Sequence, residues 1–392
     1  MKHLSRFWIA LLVMMLSGPP TSLAQDGPQP DRPAQIKSEP SHSVGFRVFR
    51  WSYQADDGSD RPLIVAVWYP AQRPDADQAD SGTVTYANGV VGKARQDAAP
   101  DKAKGPYPLI VWSHGFTGSA ISCAYLLEYL AERGYVVAAP DHNDPVSAMR
   151  ITGNVDDEDL PAKCRQAVAE LMSQQEDFDH DRYGYRPMEL ALAMENVLAQ
   201  SEGSSGDDAP LAGMVSPASI GAGGHSMGGY TVLTRIGCMP AATDRRIKVA
   251  VLQSPATWMW QEADYETISV PTMYMLGEWE AANREQKLID TETAFASTPA
   301  PTWQVHIARS GHSIFTDPRT LEAGLLGPVA EKIMANRLAR ADTIARYTAA
   351  VFDLVLKADD GDAVKAAEAT LAEGNEWTSK FEAKSEDDKP GE

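Results

Sequence analysis

Short apolar runs alternate with helical patterns through most of this chain. The runs Pro108–Trp112, Tyr135–Ala139 and Ile247–Leu252 are almost wholly apolar, which is typical of strands buried on both faces of a sheet. Further strands are predicted at Ile220–Gly223, Val270–Leu276 and Trp303–Ile307, and helices at 119–133, Pro187–Gln200, 228–236 and Ala341–Leu356. This alternation predicts an α/β fold with a mostly parallel central sheet flanked by helices.

Three segments of the chain do not follow this alternation. Phe46–Tyr53 and Pro62–Tyr69 flank an Asp-Asp-Gly turn signal and predict an N-terminal antiparallel hairpin. Residues 71–106 are polar and rich in Asp, Ala and Gly, which favours a long surface loop. Residues 151–184 are acidic and weakly periodic, so we interpret them as an insertion that could be a lid or an inert surface excursion.

The first 24 residues have the composition of a targeting segment. Lys2 and Arg6 precede the apolar run Phe7–Leu16, and Ser22-Leu23-Ala24 supplies small residues at the cleavage-specifying positions. We therefore predict a signal peptide over 1–24 and a secreted or periplasmic protein. Because no other apolar stretch reaches the length of a membrane helix, stable membrane insertion is not expected.

The rest of the chain divides by composition. Residues 25–43 are rich in Pro, Gln and Asp and predict a flexible lead-in. The main domain is expected over 44–360. Residues 361–392 are predicted to hold a remnant of the C-terminal helix and an acidic, disordered tail from Trp377.

Charge and cysteine content narrow the range of partners. The formal net charge is −19, so the chain repels nucleic acid and anionic membrane surfaces, and neither is an expected partner. Cys123, Cys164 and Cys238 lack the C-x-x-C spacing of a metal or redox site. An exported protein permits one disulfide among them, and the sequence leaves the pair open.

The segment Gly224-His225-Ser226-Met227-Gly228 has the pattern G-x-S-x-G between a predicted strand and a predicted helix. In that setting a sharp turn exposes the serine hydroxyl as a nucleophile. The structural alternative is a glycine turn of a nucleotide-binding unit, but no G-x-G-x-x-G with a following acidic residue accompanies it. We therefore predict that Ser226 is the catalytic nucleophile and that no cofactor is bound.

A serine nucleophile needs a general base, which follows it along the chain in α/β-hydrolases. Only His306 and His312 come after Ser226. His306 lies inside a predicted strand, whereas His312 lies in the loop after that strand, where it can reach the carboxyl edge of the sheet. His312 is therefore the predicted base, and His114, which precedes the serine, is disfavoured.

A carboxylate must orient the base, and backbone amides must hold the oxyanion. Glu280 lies three residues beyond the glycine that ends the strand at Gly277 and is the predicted acid, with Glu278 as the alternative. The predicted oxyanion donors are the amides of Met227, directly after the nucleophile, and of Phe116, in the His-Gly turn after an early strand.

Large aromatic residues follow two of the strands at the same edge. Trp258 and Trp260 come after Ile247–Leu252, and Trp279 lies beside the predicted acid. Loops at this edge line the site in α/β-hydrolases, so these tryptophans are candidate contacts for an acyl or aromatic group of the substrate. Packing beneath a loop would explain them equally well.

With these residues in place, the chain resembles α/β-hydrolases of the dienelactone-hydrolase-like and platelet-activating-factor-acetylhydrolase-like group over about residues 45–357. The matching segments are Val67-Trp-Tyr-Pro70, Pro108-Leu-Ile-Val-Trp-Ser-His-Gly115, Ala131-Glu-Arg-Gly-Tyr-Val-Val-Ala-Ala-Pro-Asp141, Gly224-His-Ser-Met-Gly-Gly229 and Gly311-His-Ser313. The resemblance implies an α/β-hydrolase fold and serine esterase activity. This sequence differs from the acetylhydrolase branch in one place. That branch carries its catalytic acid after the strand that here ends at Gln253-Ser254, where this sequence has no carboxylate.

The sequence thus predicts an exported serine hydrolase that cleaves a small-molecule or lipid-like carboxylic ester through an acyl-enzyme on Ser226. A thioesterase or amidase would use the same residues, and a catalytically inactive binding protein of this fold is the alternative from a different class. A metal-dependent hydrolase is disfavoured, because His142 with Asp141 and Asp144 has neither the spacing nor the ligand count of a zinc or calcium site.

Overall fold

Eleven strands form one sheet in the computed structural model of this protein. The model describes residues 42–385 without 56, 75–81, 155–156, 175–176, 204–208, 283–290, 300 and 321–327. Within these residues the strands are β1 (Ser43–Gln54), β2 (Asp60–Ala71), β3 (Thr83–Thr85), β4 (Val91–Gln96), β5 (Tyr107–Ser113), β6 (Val136–Asp141), β7 (Met149–Arg150), β8 (Gly153–Asn154), β9 (Val215–His225), β10 (Ile247–Gln253), β11 (Thr272–Gly277), β12 (Thr302–Ile307) and β13 (Thr378–Lys384). The predicted signal peptide at 1–24 and most of the predicted lead-in at 25–43 lie outside the described residues.

The strand order across the sheet is β13-β12-β11-β10-β9-β5-β6-β2-β1-β4-β3, and β7 pairs with β8 in a separate small hairpin. From β12 to β6 all neighbours are parallel, whereas β2 pairs with both β1 and β6 in the antiparallel direction. Parallel neighbours end at the same edge, so the residues that follow β9, β10, β11 and β12 meet there. The predicted α/β-hydrolase fold with an N-terminal antiparallel hairpin is confirmed.

Helices cover both faces of this sheet. They are α1 (Ala124–Glu132), α2 (Leu160–Met172), α3 (His180–Tyr183), α4 (Tyr185–Glu202), α5 (Met227–Leu233), α6 (Glu262–Tyr265), α7 (Glu278–Ala282), α8 (Thr291–Ser297), α9 (Pro328–Leu356) and α10 (Gly361–Ala372). One apolar core lies between the sheet and α1 and α9, and a second lies between the sheet and α4 and α5. Both faces of the parallel strands are therefore covered, which explains their almost continuous apolar runs.

The two cores account for the state of the cysteines. Cys123 is buried in the first core and Cys238 in the second, on opposite faces of the sheet, so these two cannot approach each other. Cys164 lies on α2 and is partly exposed. All three are free thiols, and the disulfide that export would permit is not formed.

The predicted surface loop at 71–106 is wrong for much of its length. Its described part contains β3 and β4, which extend the sheet beyond β1. Tyr86 and Ala94 are buried here, and the Tyr86 hydroxyl donates to Glu128 at 2.7 Å. These strands are short and have few apolar side chains, so the sequence here lacks the apolar–polar alternation that predicts a strand.

The prediction of a disordered tail from Trp377 is also wrong for residues 378–384, and residues 386–392 lie outside the described residues. Thr378–Lys384 forms β13, which pairs with β12 in the antiparallel direction at the edge of the sheet. The Lys380 ammonium lies 2.7 Å from the Glu292 carboxylate, and the Trp377 ring packs against Arg340. Charged side chains are frequent on edge strands, and this composition led to the prediction of disorder.

Candidate active site

A sharp turn between β9 and α5 carries Ser226. Its backbone has φ 58° and ψ −120°, a region that residues other than glycine rarely adopt and that is often found at functional sites. A Cβ atom on Gly224 would lie 2.4 Å from the carbonyl oxygen of Gly228, and one on Gly228 would lie 1.9 Å from that of Ser113. The two glycines of G-x-S-x-G therefore let three backbone segments meet, and the turn leaves Ser226 partly exposed.

Two backbone amides at this turn are open to a ligand. Met227 is the first residue of α5, so no carbonyl of its own helix accepts from its amide. The loop His114–Gly118 packs directly on the nucleophile, since a Cβ on Gly115 would lie 3.3 Å from that of Ser226. Within the described residues, the Phe116 amide has no acceptor. Both predicted oxyanion donors thus lie beside Ser226.

His312 and Glu280 meet at the same edge of the sheet. Nδ1 of His312 lies 2.7 Å from Oε1 of Glu280, and their side chains are 21% and 13% exposed. Glu280 lies in α7, which begins directly after β11, whereas His312 follows β12, the neighbouring parallel strand. The other oxygen of Glu280 accepts from the amide of Gly277 at 3.0 Å.

The alternative acid, Glu278, has a different partner. Its Oε2 accepts from the backbone amide of Arg309 at 2.6 Å. Of the two candidate carboxylates, Glu280 is the one that contacts His312. Sequence reasoning leaves this choice open because both carboxylates lie on the same turn.

The histidine that precedes the nucleophile holds the predicted base in place. His225 is buried, and its Nε2 donates to the backbone carbonyl of His312 at 3.2 Å. Burial and the neighbouring His312 lower the pKa of His225 well below its ordinary value, so its ring stays neutral. Ser226 Oγ and His312 are not hydrogen-bonded to each other. Catalytic hydrogen bonds are often long before substrate binds.

A second group of polar residues lies beneath the loop His114–Gly118, and sequence reasoning missed it. Ser113 Oγ lies 2.8 Å from Nε2 of His142, whose Nδ1 lies 2.8 Å from Oε2 of Glu189. All three residues are fully buried. The Tyr53 hydroxyl donates to the other oxygen of Glu189 at 2.7 Å. Burial raises the pKa of Glu189 and lowers that of His142 well below its ordinary value.

A buried ion pair fixes both ends of the same loop. Arg186 donates to the backbone carbonyl of His114, and its guanidinium lies 3.3 Å from the carboxylate of Asp144. Asp144 in turn accepts from the amide of Thr117 at 3.2 Å. The sequence held one signal of this arrangement: Arg186 and Glu189 lie three residues apart on a helix that is otherwise apolar on that side.

The residues considered for a metal site have protein partners instead. Asp141 accepts from the Ser119 hydroxyl at 2.7 Å and from the Ala120 amide at 2.8 Å. His142 and Asp144 belong to the buried groups described above. No cluster of three metal-ligating side chains occurs within the described residues.

The three predicted substrate tryptophans fall into two places. Trp260 is buried and stacks on Tyr230 with ring centroids 5.4 Å apart, and Trp258 meets Phe178 edge-on at 5.5 Å. Phe178 belongs to the predicted insertion, which therefore packs on the loop after β10. Trp279 is 39% exposed and lies apart from this aromatic cluster, against Gly311.

The insertion also forms one wall of a cavity beside the loop His114–Gly118. The cavity has a volume of about 210 Å³, and its lining combines Phe116, Val146 and Tyr183 with the charged side chains of Lys163, Glu170 and Arg182. The rings of Phe116 and Tyr183 meet edge-on at 6.0 Å. A helix capable of crossing a membrane is not found in the described ranges.

Comparisons with known proteins bear on the family and the fold of the chain. The family described as platelet-activating factor acetylhydrolase, isoform II, has a sequence profile that matches residues 36–318. The chain is similar to the solved structure of a ferulic acid esterase from Streptomyces cinnamoneus, with a TM-score of 0.55, 21% identity, and coverage of 82% of this chain and 93% of that one. At this identity the second comparison shows the fold alone. No curated protein sequence matches the chain.

Proposed function

From the premise that the chain belongs to the platelet-activating factor acetylhydrolase, isoform II, family and is a carboxylic ester hydrolase, we propose that it acts through an acyl-enzyme on Ser226. His312 is the general base and Glu280 the acid that orients it. The observation that carries this proposal is the 2.7 Å contact between His312 and Glu280 beside the strained turn of Ser226. A base, its orienting acid and a serine on an exposed turn are the parts that nucleophilic acyl transfer requires.

In the proposed reaction, Ser226 Oγ attacks the ester carbonyl carbon while Nε2 of His312 takes its proton. The carbonyl oxygen becomes an oxyanion that the amides of Phe116 and Met227 hold, and one such donor contributes about 10²–10³-fold to the rate in a serine protease of a different fold. The C–O bond to the alcohol then breaks, and His312 returns the proton to the leaving oxygen. Water, deprotonated by His312, attacks the acyl-enzyme, releases the carboxylic acid and restores Ser226.

For the substrate, we propose a small or lipid-like ester whose acyl part is short or carries a single ring. The 210 Å³ cavity beside Phe116 has room for a group of that size. The named relatives fit within this range, since one is described as an acetylhydrolase and the other as a ferulic acid esterase. We propose that the cluster containing Trp258 and Trp260 supports the cavity wall formed by the insertion and that Trp279 contacts the substrate separately, from its position against Gly311.

Export also belongs to the proposal. The predicted signal peptide at 1–24 places the protein in the periplasm or outside the cell. In this proposal the insertion at 151–184 is a fixed wall of the acyl site, since Phe178 and Tyr183 already pack on neighbouring aromatic rings.

The test is hydrolysis of p-nitrophenyl esters of graded acyl length by the wild-type protein and by Ser226→Ala, with matched thioesters in parallel. The proposal expects turnover of oxygen esters that Ser226→Ala abolishes, with a maximum at short or single-ring acyl groups. Turnover that survives Ser226→Ala would contradict it. No turnover of any ester, from protein that unfolds cooperatively, would favour an inactive binding protein instead, and preference for thioesters would favour a thioesterase.

A further inference from the structure

Ser254 lies at the end of β10, one strand away from the predicted acid. It is fully buried, and its hydroxyl donates to Oε2 of Glu280 at 2.7 Å. Its own amide donates to the carbonyl of Met275 at 2.8 Å, which fixes its backbone to β11. The Ser254 side chain thus reaches the carboxylate from a rigid part of the sheet.

The contacts of Glu280 divide between its two oxygens. Oε1 faces Nδ1 of His312 at 2.7 Å, whereas Oε2 accepts from Ser254 Oγ at 2.7 Å and from the Gly277 amide at 3.0 Å. The terminal torsion of a glutamate is broad and soft, so a carboxylate held at one oxygen alone can rotate. Two donors on Oε2 fix the plane of the carboxylate, and Oε1 is thereby directed at the base.

The backbone of Ser254 supports a role for its side chain. Its φ of 40° lies in the left-handed region, which is unfavourable for a residue that has a Cβ atom and costs glycine nothing. A serine at this position therefore has a less favourable backbone conformational energy than a glycine would have. What the serine has and glycine lacks is the hydroxyl that contacts Glu280.

We propose that Ser254 is a positioning residue, which orients Glu280 toward His312 from the end of the neighbouring strand. This inference rests on the proposed function, because it assigns Ser254 to the same ester hydrolysis. The Ser254 hydroxyl donates to Glu280, so its effect passes through that carboxylate. Its removal lowers kcat and leaves KM unchanged, because the orientation of the base matters in the transition state more than in substrate binding.

The test variant is Ser254→Gly, which removes the hydroxyl and suits the left-handed backbone. It should lower kcat about 10-fold, the usual effect of one hydrogen bond to a charged group, while the relieved left-handed backbone offsets part of the stability lost with that bond, so the unfolding midpoint changes little. Ser254→Asn is the conservative partner, since asparagine tolerates this backbone and its amide can donate to Glu280. It should recover part of the lost kcat. Ser201→Ala is the control, because Ser201 is a buried serine that accepts from the Val215 amide far from the site; its kcat should not change.

A double-mutant cycle with Glu280→Ala separates positioning from general packing. If Ser254 acts through Glu280, Ser254→Gly should change kcat less than about twofold in the Glu280→Ala background. An equal loss in both backgrounds would overturn the proposal, and so would a wild-type kcat in Ser254→Gly alone. Ser226→Ala, assayed with the same ester, tests the proposed function independently: residual turnover there would contradict the proposed function whatever Ser254 does.

Discussion

The molecule contains two sets of serine, histidine and glutamate that differ mainly in where they lie. In one, Ser113, His142 and Glu189 are linked by contacts of 2.8 Å and 2.8 Å, and all three are fully buried. In the other, His312 contacts Glu280 at 2.7 Å at a partly exposed edge beside Ser226. The buried set links its serine to its histidine, whereas Ser226 and His312 are not hydrogen-bonded, yet we assign catalysis to the exposed set. Residue types and contact distances are therefore insufficient to identify an active site.

What the buried set lacks is physical access and a base that can gain a proton. Ser113 ends the extended strand β5 and no substrate can reach its hydroxyl. A general base must become positively charged during the reaction, but burial and the nearby Arg186 and Arg150 oppose a positive charge on His142. The buried set instead supports the loop above it, because the amide of His142 donates to Nε2 of His114 at 3.0 Å.

The largest expected contrast is between the two serines. Ser226→Ala should lower kcat about 10⁵-fold or more, because it removes the nucleophile. Ser113→Ala should keep kcat within about tenfold and lower the free energy of unfolding by about 1–2 kcal/mol through a lost buried hydrogen bond. Initial rates with p-nitrophenyl acetate and urea unfolding measure both quantities. The reverse pattern of rates would transfer catalysis to the buried set.

The next contrast is between the two carboxylates of α7. Glu280→Ala should lower kcat about 10³–10⁴-fold, since the base loses its orienting partner. Glu278→Ala removes a contact to the backbone of Arg309 and should leave kcat within about threefold. Steady-state rates of both purified variants decide between them. A larger loss in Glu278→Ala would identify Glu278 as the acid.

A third experiment removes the ion pair that fixes the loop His114–Gly118. Asp144→Ala leaves the guanidinium of Arg186 buried without its carboxylate, which typically costs about 3–5 kcal/mol. The matched variant is Asp157→Ala, whose partner Lys163 is largely exposed and whose loss should be close to neutral. Denaturant unfolding compares the two variants. Equal stability would mean that the buried pair does not hold this loop.

The smallest expected effect is a dependence of stability on pH. The pKa of His142 is lowered below 6.5 in the folded protein, so below that pH the unfolded chain binds a proton that the folded protein resists. The contribution of a neutral His142 to the free energy of unfolding is fully present above pH 6.5. Below that pH it falls by up to about 1.4 kcal/mol for each pH unit. The stability difference between wild type and His142→Gln should therefore decrease on acidification from pH 7.5 to pH 5. A constant difference would show that His142 takes up a proton in the folded protein as readily as in the unfolded chain.

The parallel half of the sheet could be predicted from the sequence because its strands are buried on both faces and read as apolar runs. The edge strands could not: β3, β4 and β13 have one solvated side or a charged sequence, and their stability comes from pairing with distant strands. The predicted helix Ala341–Leu356 begins earlier, at Pro328, and residues 332–339 are exposed or half-buried, so this first part lacks the buried stripe by which the rest could be predicted.

The same limit applies to the site. Ser226 and His312 follow from a local motif and from chain order, so the sequence identifies them as candidates. The choice between Glu280 and Glu278 depends on how α7 directs each carboxylate, which local sequence does not specify. The contact between Ser254 and Glu280 joins the ends of two strands, and that between His142 and Glu189 spans 47 residues, so both require the folded chain.

The most direct test of the central claim is labelling with a fluorophosphonate, which reacts with activated serines, followed by identification of the modified peptide. We expect one adduct, on Ser226, with none on Ser113, and no labelling of Ser226→Ala. An adduct on Ser113, or no adduct on protein that unfolds cooperatively, would contradict it.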